Sequence, residues 1–234
     1  MKESKISFSS DMTVKLVRSL ASDDSVVQSA QVSVIGENKP GTDPTRLINW
    51  LMKSRHGSPF EHNSFTFFVE APIFVIREWQ RHRISSFNEM SGRYTKLQPK
   101  FYIPDNRRKL INVGSSARPK FEDGSEYQNR ITNDLITKHS EESWSRYEEL
   151  INLGIGNEVA RTVLPLNIYT QMYWTVNARS LMNFLSLRVS DISSKYETNP
   201  QYEIQVAAEK VELFFKDVMP ITHNAFCEYG RVAP

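Results

Sequence analysis

Between Phe65 and Trp79 the chain carries its most apolar segment, FTFFVEAPIFVIREW, and one residue later it runs into RHRISSFNEMSGRY, Arg81 to Tyr94. A segment this apolar has to be buried, and it therefore anchors a strand and a helix in the core. Phe65 to Val69 reads as the centre of the strand. Pro72 suits the first turn of a helix over PIFVIREWQRHR, where Ile73, Ile76 and Trp79 recur at helical spacing. The polar stretch that follows is then forced outward as a loop or broken helix, because Ser85, Ser86, Asn88, Ser91 and Gly92 are poor helix formers in series. It gathers Arg81, His82, Arg83 and Arg93 around the single acid Glu89.

The rest of the chain alternates short strands and helices. Residues 12–19 alternate as a strand, and 25–35 fit either helix or strand. ENKPGTDPT is a turn-rich loop leading to a helix from Pro44, with Leu47, Trp50 and Leu51 on one face and Gly57 as its stop. Residues 104–125 are polar and rich in turn formers, an exposed loop. A long helix is expected over 126–153, with Tyr127, Ile131, Leu135, Trp144, Tyr147 and Ile151 as its apolar stripe and Gly154 and Gly156 beyond its end. NEVARTVLP is a short helix stopped by Pro165, and YTQMYWTVN alternates as a strand. Asn177 is an N-cap for ARSLMNFLSLRV, and a last helix, EIQVAAEKVELFFKDVM, closes at Pro220. The strands are too few for a barrel, so the class is α+β, within a single domain over residues 1–234.

Net charge is +2 over 234 residues, too small for bulk electrostatic binding to nucleic acid, so the basic clusters need local explanations. One cysteine, Cys227, excludes an intrachain disulfide and points to a reducing, cytoplasmic setting. No apolar run is long enough to span a bilayer, and the N-terminus lacks a signal-like apolar region.

Arg77 and Arg81 are four apart on the expected helix, with His82 and Arg83 continuing past its end. A helix dipole accounts for one or two such cations, worth about 0.3–1 kcal/mol each. It does not account for Arg93. Arginine forks match phosphate and carboxylate oxygens, and Ser91 with the Gly92 backbone N–H supplies the parts of an anion nest. A second polar set, Asn177, Arg179, Asn183 and Arg188, lies on one helix. Arg179 and Asn183 share a face and Arg188 points roughly opposite, so the helix suits a layer between two ligands. Arg161 interrupts the face formed by Val159, Val163 and Leu164 and reads as a partly buried arginine seeking an anion. His56, Glu61, His62 and His82 match no zinc spacing, so no metal is expected. No P-loop and no G-x-G-x-x-G is present.

RHRISSFNEMSGRY resembles the defining motif of the flavin-dependent thymidylate synthases: Arg81-His82-Arg83, seven residues, then Ser91. SPFEHNSFTFFVEAPIFVIREWQRHR, NEVARTVLPLNIYTQMYWTVNARSLMNFLSLR and YEIQVAAE follow the family's blocks in order, so the resemblance covers most of residues 45–215. It implies a central antiparallel sheet packed with helices, a homotetramer, and sites built between subunits. It further implies that dUMP is converted to dTMP with methylenetetrahydrofolate as carbon donor and FAD recharged by NADPH. The FAD set implied is Ser58, Arg81, His82, Arg83, Glu89, Asn177, Ala178, Arg179 and Asn183, with His56 near the flavin ring. For dUMP it is Glu78, Trp79, Gln80, Arg81, Glu89, Met90, Ser91, Gly92, Arg93, Arg161 and Arg188. Arg188 is the residue implied against the uracil ring, where its charge favours ionisation at N3. That role needs no cysteine nucleophile, and Cys227 lies outside every matched block. No base stands beside Ser91 in the sequence, which reads as a phosphate or ring contact.

Two departures stand out. Glu78 occupies a position where the family commonly has Gln, and a carboxylate there repels a nucleotide unless it is paired. ISSKYETNPQ, residues 192–201, is longer than the usual connection and has no assigned role. A competing reading, a single-strand nucleic-acid module using Arg and aromatic side chains, predicts steep salt dependence and no colour. A regulator that keeps flavin without turnover is a third.

Overall fold

The computed structural model describes residues 5–36, 43–116 and 118–234. The loop expected at 37–45 lies largely outside them, at 37–42. The described chain forms two compact units, each assembled from separated segments. One comprises the described residues up to Met12, with Glu70–Glu78 and Glu89–Met172. The other comprises Thr13–Val69, Trp79–Asn88 and Tyr173–Pro234.

The strands of the main sheet are β2 (Thr13–Leu20), β3 (Ser64–Pro72), β4 (Ser86–Glu89) and β8 (Tyr169–Val176), in the order β2-β3-β8-β4; residues 13–20, 64–69, 86–88 and 173–176 of these belong to the second unit. The arrangement is mixed helix and sheet around a central antiparallel sheet. Thr66 and Thr175 pair their hydroxyls at 2.9 Å across β3 and β8. β3 buries Phe65, Phe67 and Val69 completely, as its apolar run requires. Helices α1 (Asp23–Ile35), α2 (Pro44–Lys53), α6 (Ala178–Arg188), α7 (Tyr202–Val218) and α8 (Pro220–Glu228) complete the unit. Asp23 accepts hydrogen bonds from the Ile221 and Thr222 amides and the Thr222 hydroxyl, tying α1 to the start of α8.

The first unit packs Leu97, Phe101, Trp144, Tyr147, Ala160 and Ile168 into its own core. β1 (Ser7–Ser9) pairs in parallel with β5 (Lys100–Tyr102), and a small hairpin joins β6 (Ile111–Asn112) to β7 (Phe121–Glu122). α3 (Ile73–Trp79), α4 (Glu126–Asn152) and α5 (Asn157–Ala160) are its helices, with Trp79 itself counted in the second unit.

Several expectations need correction. Residues 25–35 are helix, capped by Ser22, whose side chain accepts from the Ser25 amide. α2 buries Ile48, Leu51 and Met52, while Trp50 is 53% exposed. It ends not at Gly57 but at Ser54, ahead of Arg55 in the left-handed region at φ 63°. α3 stops at Trp79, whose indole is fully buried, so Arg77 and Arg81 do not share a helix face. Of the loop or broken helix expected after it, the loop is found, interrupted by the short strand β4 and with no helix. The loop at 104–125 carries the β6–β7 hairpin, and α8 continues past Pro220, which sits in its first turn. In α4 only Ser140, Ser143, Trp144 and Tyr147 are buried; Tyr127 and Leu135, expected in the stripe, are more than 60% exposed. Among the described residues no helix is long and apolar enough to cross a membrane.

Candidate active site

The second unit places the Arg-His-Arg run beside α6. The Trp79 indole packs on Trp174 and Phe184, with ring centroids 5.2 and 4.8 Å apart, and this anchor ends α3. The chain then turns: the His82 amide donates to the Trp79 carbonyl at 3.0 Å, and the Ser85 hydroxyl donates to the His82 carbonyl at 2.7 Å. The His82 ring meets Phe184 edge-on at 4.9 Å. Its Nε2 accepts a hydrogen bond from Arg188 Nε at 3.0 Å. Burial, and then the Arg188 charge, lower its pKa from 6.5 to about 4, so the imidazole is neutral at physiological pH. A neutral ring accepting at Nε2 carries its proton on Nδ1.

A cavity of about 250 Å³ opens here, lined by Arg81, His82, Arg83, Ile84 and Ser85 on one side and Val176, Ser180 and Asn183 on the other. Guanidiniums, hydroxyls and an amide make its rim, and among the described residues no carboxylate lines it. That donor set suits phosphate oxygens, so the diphosphate of a flavin dinucleotide fits it chemically. Arg188 and Asn183 both reach the Arg81–Ser85 side of α6, while Arg179 leaves it. The expectation of Arg179 and Asn183 together against an opposed Arg188 is thereby corrected.

Arg179 belongs to a second polar set. Its Nε donates to the Pro234 carbonyl and its Nη1 to Glu61 Oε1, both at 2.6 Å. Gly57 sits against it: a Cβ there would lie 2.6 Å from Arg179 Cζ and 2.7 Å from the Pro234 oxygen. Asn177 caps α6, its side chain accepting from the Ser180 amide at 2.9 Å. Ser58 is exposed in the short 3-10 turn Ser58–Glu61, and His56, also exposed, stacks on Trp50 at 4.8 Å. Ala178 is fully buried, and its amide is taken by Asn63 Oδ1 at 2.7 Å, which holds the start of α6 in place. Trp79 is also fully buried, its indole part of the core.

The first unit gathers the remaining residues. The Met90 amide donates to Gln171 O at 2.8 Å, extending the end of β4 along β8. The Ser91 carbonyl accepts from the Tyr94 and Thr95 amides, and its hydroxyl accepts from the Arg93 amide at 3.3 Å. Gly92 is buried, and a Cβ on it would stand 3.3 Å from Arg161 Cδ, so this glycine lets the Arg161 side chain lie close along the turn. Arg93 Nε bonds Glu158 Oε2 at 2.8 Å. Arg161 is exposed rather than partly buried, because Val159 beside it is itself 57% exposed and α5 presents this face outward. Glu89 is exposed and Glu78 half-buried; Gln80, which belongs to the second unit, is exposed.

Two partners escaped the sequence reading: Glu61 for Arg179 and Glu158 for Arg93. Both are distant in sequence, and only the fold pairs them. A third cluster was missed entirely. Glu212 holds Arg231 through both carboxylate oxygens at 2.7 Å and His223 Nε2 at 2.9 Å, with Cys227 Sγ 3.8 Å from His223. Glu212, His223 and Cys227 have metal-ligand chemistry, but the Arg231 guanidinium already satisfies the carboxylate. The i, i+4 spacing of His223 and Cys227 was the only available hint.

The family model described as thymidylate synthase complementing protein matches residues 15–221. A flavin-dependent thymidylate synthase from Tropheryma whipplei (strain TW08/27) is 49% identical over 232 residues, covering 97% of each chain. One from Streptomyces coelicolor is 48% identical, over 98% of this chain and 96% of the relative. Among solved structures, the UMP/dUMP methylase PolB from Streptomyces cacaoi bound with 5-Br dUMP superposes with a TM-score of 0.93 at 45% identity. That match covers 98% of this chain and all of the other.

Proposed function

The chain belongs to the flavin-dependent thymidylate synthase family, and on that premise we propose that it methylates dUMP to dTMP with methylenetetrahydrofolate as carbon donor, FAD as cofactor and NADPH as reductant. The hydrogen bond from Arg188 to a neutral His82 at the mouth of the basic cavity carries this reading. His82 orients Arg188 without competing for its charge. Arg188, set against the uracil ring, then stabilises negative charge developing on the pyrimidine and favours ionisation at N3.

Arg81, His82, Arg83 and Asn183 hold the flavin, with Asn177 fixing the start of α6. Arg179, Ser58 and His56 extend the cofactor set. A bound flavin supplies the reducing equivalents for the transferred carbon. Ser91, Gly92, Arg93 and Arg161 bind the nucleotide phosphate. The Arg93–Glu158 pair is exposed on both sides and worth at most about 1 kcal/mol, so exchanging Glu158 for a dianionic phosphate is favourable. Glu78, Gln80, Glu89 and Met90 complete the nucleotide set. Cys227 is engaged by His223 and Arg231 and supplies no nucleophile. The interleaved segments of the two units act as one domain, assembled as a cytoplasmic homotetramer.

The test is direct. The purified protein is yellow with flavin absorbance, and it forms dTMP from dUMP when both co-substrates are added, with UMP assayed in parallel. A colourless protein that also takes up no added FAD refutes the reading.

A further inference from the structure

The segment at residues 192–201, left without a role by the sequence, builds one wall of a second cavity in the same unit as the Arg-His-Arg run. This cavity, of about 420 Å³, is lined by Met52 and Lys53 at the end of α2, Arg55 just past it, Lys195 and Tyr196 from the long connection, and Tyr229 and Val232 beyond α8. Its volume lies in the range of small-molecule sites. Three cations and two phenol rings face it, and among the described residues no carboxylate lines it.

The walls are constructed rather than accidental. Arg55 and Arg231, beside Val232, are the described non-glycine residues with left-handed backbones, at φ 63° and 55°. Such conformations are strained for residues with a Cβ and persist where surrounding contacts enforce them. Arg55 is held by donating Nη1 to the Val232 carbonyl at 3.1 Å, which uses one of a guanidinium's five N–H groups. The Lys195 amide donates to the Gly230 carbonyl at 2.9 Å, fastening the long connection to the chain after α8. Gly230 is itself at φ 78°, and a Cβ there would come within 2.9 Å of Lys195 Cβ. Lys195 Nζ lies 5.5 Å over the Tyr196 ring, so a cation and an aromatic face are offered together.

We infer that this cavity is a binding site for a nucleoside phosphate, its anion held by Lys53, Arg55 and Lys195 and its base stacked on Tyr196 or Tyr229. The pairing of rings with cations favours a phosphorylated nucleoside over a flexible chain of carboxylates, which needs the charges but not the rings. Within the proposed reaction the occupant is the adenosine phosphate arm of the dinucleotide reductant. That identification rests on the proposed function; the site itself does not.

The probe is adenosine 2′,5′-bisphosphate, titrated calorimetrically into the flavin-loaded protein, with tri-γ-glutamate as the competing carboxylate probe. The wild type binds the bisphosphate saturably and more weakly as salt is raised. The Lys53→Ala, Lys195→Ala double variant binds it about tenfold more weakly, the loss expected for a charged hydrogen bond. Lys195→Arg restores most of the affinity on a Lys53 background. The flavin spectrum and the KM for dUMP stay unchanged, while the KM for NADPH rises by a similar factor at constant kcat. Bisphosphate binding that the double variant leaves intact overturns the proposal, and so does lysine-dependent binding of tri-γ-glutamate alone. Lysine-dependent bisphosphate binding by a protein that forms no dTMP supports this site and removes the proposed function instead.

Discussion

Protonation of His82 is expected to uncouple Arg188 from its support, and pH is the perturbation that tests it. In the folded chain burial and the Arg188 cation hold the imidazole pKa near 4, against 6.5 when exposed. Between those values the unfolded chain binds a proton that the folded chain refuses, so stability rises with pH across this window and is flat above about 7. The gap corresponds to about 3 kcal/mol, reduced to roughly 2–3 kcal/mol because the ring lines a solvent-accessible cavity. His82→Gln keeps a hydrogen-bond acceptor for Arg188 Nε but cannot titrate. Urea midpoints measured on both proteins at intervals from pH 4.5 to 7.5 therefore converge at the alkaline end and diverge on acidification, with the wild type losing more. An NMR titration of His82 gives the same quantity directly. A wild-type-minus-variant difference that stays constant over this range, or a measured His82 pKa of 6 or higher, refutes the argument.

Other outcomes follow from the same geometry. Arg188→Ala retains FAD, read from the visible spectrum, yet loses dTMP formation by at least about 100-fold, the scale of removing one preorganised charge-stabilising donor; turnover at the wild-type rate sinks that assignment. Glu212→Ala strands Arg231, 3% exposed, and His223, 8% exposed, as uncompensated buried cations and costs about 3–5 kcal/mol in denaturant unfolding. Burial alone would raise the Glu212 carboxyl, but hydrogen bonds from His223 and Arg231 outweigh it and hold the pKa down to about 2. Burial likewise opposes His223, whose bonds to Cys227 and Glu212 prevail and raise it to about 9. The deficit of Glu212→Ala is thus largest near pH 5–6.5, and it shrinks as pH rises through 9 or falls toward 2. Gly57→Ala drives a methyl into Arg179 and the Pro234 carbonyl, destabilising by about 1–3 kcal/mol and releasing FAD on dilution; a variant with wild-type melting and flavin retention contradicts the crowding.

Local chemistry explains which parts of the fold could be read in advance. The strand at Phe65–Val69, the Asn177 cap and the strand Tyr169–Val176 follow from apolar run length, side-chain capping and alternation, all properties of adjacent residues. Helix periodicity continues through Gln80, whereas the Trp79 anchor on Trp174 and Phe184 ends α3. In α4 the periodicity holds, yet Tyr127 and Leu135 of its six-residue stripe face solvent, since periodicity names a face and not what covers it.

The candidate site divides along the same line. The residue types in Arg81-His82-Arg83, Ser91, Arg93 and the α6 helix suffice to identify the family and point to an anionic ligand, because donor chemistry and spacing are local and survive without coordinates. The protonation state of His82, the partners Glu61 and Glu158, the burial of Ala178 and the basic cavity beside the long connection were beyond it. Each depends on residues far apart in the chain meeting at a distance of a few ångströms, and hydrogen bonding and desolvation act only at that range.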